Sequence, residues 1–251
     1  MWYMVVPTVQ HWEGKSVRFQ VVFEKFQQVR FTDSMNAAIV AGLTAAGMAP
    51  DLLVGMGAVP WTFGMEGWSK AGKPRLIRSV IISSPDLRFA EAMRAAKASD
   101  FRVTSSNGDV IDGRGASIWQ DITTPEGDTD ILINFLSPFV IKARKSEGGT
   151  HPFLESLPEN DLHEALKTGL DRRAGRDLDL RISVDPLSFR TDGRRKHMIH
   201  YRRMTNGKSL ILPGYALPMR LQGAPEDLRF AYLAGFGSKT RAGNGCPVRM
   251  Q

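Results

Sequence analysis

The hydrophobic pattern of this chain changes period in the same order twice: strand, helix, strand, strand, helix, strand. That double pass leaves few folds open. In the first pass, SVRFQVVFEKF (16–26) partly alternates and is rich in β-branched and aromatic residues, which suits a pleated strand. TDSMNAAIVAGLTAAGM follows with Ala38, Ile39, Leu43 and Ala46 at helical spacing, Asp33 or Ser34 as N-cap, and an end near Gly47. AVPWTFGMEGW reads as a strand running into a loop, and RLIRSVIISS (75–84) as a strand. Ser84 then caps a helix, PDLRFAEAMRAAKA, with Pro85 at its first position, and DFRVTSSNGDVIDGRG turns back at Asn107-Gly108.

In the second pass, TDILINFLSPFVIKA is a strand interrupted by Pro138, and ENDLHEALKTGLDRRAG is a helix with Leu162, Leu166 and Leu170 on one face. Strands are predicted at LDLRISVDPL and KHMIHYRRM, with KSLILPGYALPMRL continuing the same sheet. APEDLRFAYLAG closes the pass as a helix with Pro225 at its first position. The expected class is therefore α+β: two tandem ferredoxin-like domains with antiparallel sheets, residues 1–125 and 126–251, and a glycine-rich loop after the last helix.

No apolar run reaches the roughly 18 residues of a membrane span, and MWYMVVPTVQ lacks the form of a secretory leader, so no membrane partner is expected. Cys246 is the single cysteine, which excludes an internal disulfide and a paired-cysteine zinc site and points to a cytoplasmic setting. Five scattered histidines form no HExxH, so no metal and no other cofactor is expected. Charge is uneven. Residues 1–139 carry thirteen Lys or Arg against fourteen acids, whereas residues 140–251 carry twenty against twelve. Clustered cations of this kind suit a polyanion bound mainly by the second half.

LAGFGSKTRAGNGC (233–246) sets Gly235, Gly237, Gly243 and Gly245 around Lys239 and Arg241. Neither the P-loop spacing nor the dinucleotide spacing is present, and a helix precedes these glycines instead of following them. An exposed loop is expected, its backbone able to approach a ligand closely while the two cations supply charge.

ILINFLSPFVIKARKSEG, HPFLESLPENDLHEALKTGLDRR, PGYALPMRLQGAPEDLRFAYLAGFG and GFGSKTRAGNGCPV resemble, in that order, the C-terminal domain of the CRISPR repeat-processing endoribonucleases, the sixth Cas family of the RAMP superfamily. VPWTFGME is similar to a weaker N-terminal signature. The resemblance implies a metal-independent endoribonuclease that cuts CRISPR precursor transcripts within their repeats and stays on the repeat hairpin. The ribose 2′-OH attacks the adjacent phosphorus to leave a 2′,3′-cyclic phosphate. The alternative is a catalytically silent subunit that holds the mature RNA among other Cas proteins.

The family's usual N-terminal histidine is missing from its place, where QQVRFTD carries Arg30; His11 is the first half's lone imidazole. Arginine is a poor base but a good phosphate ligand, so the resemblance, nearest the divergent type IV branch, implies catalysis by Arg241, Arg30 and His11. RNA contacts are expected from Gly235, Gly237, Lys239, Gly243 and Gly245 of the loop. Two cation clusters join them: Arg172, Arg173 and Arg176, then Arg194, Arg195, Lys196, Arg202 and Arg203. Tyr201, inside the second cluster, is open between stacking on a base and packing. His151, His163, His197 and His200 are expected in ordinary surface or core roles.

Overall fold

The computed structural model describes residues 18–55, 58–68, 73–106, 108–121, 123–142, 153, 162–184 and 196–250. Its first sheet holds β1 (Arg18–Val29), β2 (Thr62–Trp68), β3 (Arg75–Ser83), β4 (Arg102–Thr104), β5 (Val110–Asp112) and β6 (Ser117–Gln120). Helices α1 (Thr32–Ala45), α2 (Pro50–Leu53) and α3 (Leu87–Ala95) come from the same stretch of chain. β3 lies between β2 and β1, and β6 pairs with β1 on its other side through Phe19–Val22, all antiparallel. The short β4–β5 hairpin touches β1 at Gln28 and turns beside Gly108, as the Asn-Gly signal predicts. β6 was not anticipated: ASIWQ is too short to show a period.

The second sheet takes β7 (Asp130–Phe135), β8 (Leu180–Val184), β11 (Met219–Gly223) and β12 (Pro247–Arg249) in the order β12-β7-β11-β8, with α4 (Leu162–Ala174) and α5 (Pro225–Ala234). Both sheets thus have the split β-α-β order, fourth, first, third, second, of a ferredoxin-like unit. One expectation is corrected. KHMIHYRRM does not join the sheet; β9 (Lys196–Arg203) and β10 (Ser209–Tyr215) form a separate hairpin, and PGYALPMRL divides between β10 and β11. The hairpin has its own small core of Ile199 and Leu212 with Val140 and Phe153, so it needs no place in the larger sheet.

The helix starts also differ from expectation. Neither Asp33 nor Ser34 caps α1; the N-cap is Phe31, which offers no side-chain bond. Instead Asp109, carried in by the β4–β5 turn, accepts from the Phe31 N–H at 3.1 Å and the Ser34 hydroxyl at 2.8 Å, and from the Arg30 N–H. Its buried carboxylate thus ties the two residues that lead into the helix to its first turn through the Ser34 side chain. α3 begins two residues beyond Pro85, capped by Asp86, while the Ser84 hydroxyl donates to the Pro60 carbonyl. α4 and α5 match prediction, with Leu162, Leu166 and Leu170 buried and Pro225 at the first turn.

A single apolar cluster runs through both sheets, from Phe19 and Trp61 to Tyr232 and Phe236. Polar ties cross the same junction. Arg18 is completely buried: its Nε donates to Asp121 at 2.6 Å, its Nη2 to the Pro247 carbonyl at 2.8 Å, and its guanidinium lies 4.7 Å from the Tyr232 ring centre. Ser83 donates to the Leu233 carbonyl, Thr62 to Asn244 and Ser137 to Phe63. Among the described residues, no helix is long and apolar enough to cross a membrane.

Candidate functional site

The glycines after α5 serve the protein's own packing. All four have positive φ and are buried. A Cβ on Gly235 would sit 2.8 Å from Thr62, on Gly237 2.5 Å from the Val140 carbonyl, on Gly243 2.6 Å from the Phe63 ring, and on Gly245 2.0 Å from the Phe236 carbonyl. The expectation of an exposed loop is therefore corrected: it is wedged between the two sheets, and the close approach that glycine permits is to protein. Arg173 completes the wedge by donating to the Gly237 and Gly235 carbonyls at 2.8 and 2.7 Å. Burial, then the cations of Arg172 and Arg241, push its pKa down to about 10. Arg173 is thus spent on the loop, and Arg176, though exposed, is paired with buried Asp227, which leaves Arg172 as the exposed cation of that trio without an ion pair among the described residues.

Where the wedge meets the first sheet, a cleft of about 650 Å³ opens between the two halves. Its cations are Arg30 at the end of β1, Lys73 just before β3 and Arg75 on β3; His197 and His200 of the β9–β10 hairpin face them. Thr32, Ser137 and Gly243 also line it, and among the described residues no carboxylate does. Arg75 is half-buried, donates to the Met65 carbonyl at 3.2 Å, and has its pKa lowered by burial. Burial, and then the Arg75 cation, also hold His197 below its ordinary value. The Thr32 hydroxyl, at the first turn of α1, is buried without a hydrogen-bond partner among the described residues. A buried hydroxyl left unpaired costs about 1–3 kcal/mol.

Beyond the hairpin's inner face lies a second basic group. The Lys239 Nζ stands 5.3 Å from the Tyr201 ring centre and the Arg202 guanidinium 5.8 Å from it. Burial, then Arg202 and Lys142, lower the Lys239 pKa against the pull of Asp33. Lys239 is the one non-glycine with positive φ among the described residues, at +56°, a conformation that side chains seldom accept without another reason. Tyr201 is thus packed among cations with its phenol half-buried. Lys196, Arg202 and Arg203 are exposed along β9.

Of the implied catalytic residues, Arg30 lines the cleft. Arg241 does not: its Nη1 donates to the Gly55 carbonyl at 2.8 Å and its own carbonyl is held by Asn36, which turns it toward the α2 side. The expectation that Arg241 and Arg30 share the cleft is corrected accordingly. His11, Arg194, Arg195 and His151 lie outside the described residues. His163 accepts from the Ile182 N–H and is structural. Sequence reasoning passed over Arg75, Lys73 and His197. The available signal was weak: cations at the ends of β3 and a histidine on a basic strand.

Tandem split β-α-β units, wedged together by a glycine-rich turn beside a basic cleft without a carboxylate among its described lining residues, define a double ferredoxin-like class of protein. The family model for the C-terminal part of CRISPR-associated protein Cas6 matches residues 122–247, half of the chain, and the chain belongs to that family. Among solved structures it is similar to a Cas6-related protein from Pyrococcus furiosus, at 18% identity and a TM-score of 0.67 over 94% of this chain and 99% of that one. A RAMP protein described as binding different RNA substrates matches at 19% identity and 0.64, over 94% of this chain and 100% of the other. A CRISPR-associated Cas6 matches at 19% and 0.60 with the same coverage. At such identities these structures establish the fold. No curated protein sequence matches the chain.

Proposed function

We propose that this protein binds the repeat hairpin of a CRISPR precursor transcript and cuts it by attack of the ribose 2′-OH on the adjacent phosphorus, giving a 2′,3′-cyclic phosphate and a 5′-OH. The observation that carries this reading is the cleft between the halves, lined by Arg30, Lys73 and Arg75 and, among the described residues, by no carboxylate. A scissile phosphate placed there meets fixed cations in a partly desolvated setting, where charge developing on the phosphoryl oxygens is stabilised most. Lys239, Arg202 and Tyr201 extend the basic surface away from the cleft, as a backbone-reading contact to duplex RNA requires. On this reading the units 1–125 and 126–251 act as two jaws, and the hairpin lies along the second.

The test is single-turnover incubation of the protein with labelled repeat RNA in EDTA. One defined cut ending in a cyclic phosphate is expected, and a 2′-deoxy substitution at the scissile nucleotide is expected to block cutting while leaving binding intact. Tight binding without a cut would make the protein an RNA-holding subunit instead. Cutting that survives the 2′-deoxy substitution would overturn the mechanism.

A further inference from the structure

The cations lining the cleft hold phosphate well, but none of them accepts a proton near neutral pH, because arginine and lysine remain protonated there. Among the described lining residues there is no carboxylate, so proton acceptance there falls to the imidazoles of His197 and His200. The two differ in placement. Alternation along β9 puts His197 on the same face as Ile199, which is buried in the hairpin's core, and Tyr201, which packs beside Lys239; His200 alternates to the other face. Both rings line the cleft, and the Arg75 cation acts on that of His197.

Resting on the proposed RNA cleavage, the geometry points to His197 as the general base of the reaction, supplied by the second half of the chain across the cleft from Arg30 and Arg75. The step balances as follows. The unprotonated ring nitrogen of His197 takes the 2′ proton, and the 2′-oxygen lone pair forms the new P–O bond. The electrons of the P–O5′ bond leave with O5′, which takes a proton from solvent. Burial, and then the Arg75 cation on β3, disfavour an imidazolium there, while Arg30 and Lys73 line the same cleft and Lys196 precedes the ring on β9. His197 is therefore neutral and able to accept at physiological pH. The base thus comes from a hairpin strand, in a chain whose first half lacks a histidine near α1.

The experiment compares the parent with His197→Ala, His197→Gln and His200→Ala in single-turnover cleavage at saturating protein across pH 5–9, with hairpin affinity and thermal unfolding measured on each. For both His197 variants a fall in rate of about a hundredfold or more is expected, with affinity within about threefold of the parent. The parent rate is expected to rise with pH to a plateau with its midpoint below about 6.5, and the variants to lose that limb. Parental rates in His197→Ala, an unchanged limb, or a rate restored merely by adding more protein would each overturn the inference. So would a larger loss in His200→Ala than in His197→Ala. Absence of any cut by the parent would overturn the proposed cleavage itself, and this inference with it.

Discussion

Gly237→Ala separates a glycine kept for the ligand from one kept for the fold. At φ +74° an alanine pays about 1–2 kcal/mol for the left-handed conformation. Its Cβ would also stand 2.5 Å from the Val140 carbonyl oxygen, which is backbone and cannot swing aside. Moving the loop out strains the Ser238 N–H bond to that same carbonyl, worth about 1 kcal/mol, and the charged bond from Arg173 to the Gly237 carbonyl, worth about 1.5–3 kcal/mol. The expected loss is about 4 kcal/mol, a large part of the 5–15 kcal/mol that holds a typical domain together. For a chain of this size that lowers the midpoint of thermal unfolding by about 8–16 °C. Gly47→Ala is the control: its φ is +94° but a Cβ there meets nothing within 4 Å, so it bears the conformational cost alone. Unfolding followed by circular dichroism gives both numbers. If Gly237→Ala melts within about 3 °C of Gly47→Ala, the loop is not wedged as described and its glycine serves a ligand.

Lys239→Gly relieves a left-handed lysine and should leave stability equal or slightly higher, while weakening hairpin binding and lowering the log-log salt slope by about 0.7–0.9. A salt titration of affinity checks both. Arg30→Ala should slow single-turnover cleavage at least about tenfold, or about 1.4 kcal/mol, and Arg241→Ala should slow it less, because Arg241 is turned to Gly55. Asp227→Asn should destabilise more at pH 7 than at pH 3. Burial raises the Asp227 pKa, but the bonds from Arg176 and the Asp179 N–H outweigh burial and depress it, so its contribution is present above the unfolded carboxylate range and lost as pH falls. Urea unfolding at the two pH values tests the sign.

Elements with a long period and punctuation at their ends were legible in the sequence. The leucines of α4 and Pro225 of α5 announce those helices, and the two passes announce the paired sheets. Caps were not, because Asp109 reaches α1 from about 75 residues away and no local pattern encodes it. The β9–β10 hairpin alternates like any strand pair, and only tertiary packing on Val140 and Phe153 tells it from the neighbouring sheet. Glycine spacing revealed that positive φ was needed after α5, but not which surface would come close. The cleft was half legible: Arg30 stands out against the family pattern, whereas Arg75 and His197 acquire meaning only once strands distant in sequence line one cleft.

The burial of Arg18 against Pro247 joins the opening strand to one made more than two hundred residues later. On a translating ribosome, β1, β2 and β3 emerge early, yet their partners for Arg18, Thr62 and Ser83 are Pro247, Asn244 and Leu233. At about 5–20 residues per second, the growing chain presents that unsatisfied edge for roughly 10 to 30 s before the wedge arrives. Through that interval Arg30 and Arg75 have no opposite wall, so a nascent chain carries its phosphate ligands without a site. Translation order thereby withholds the assembled cleft until residues 235–249 are made, and any stall before them leaves an apolar edge for a chaperone to cover.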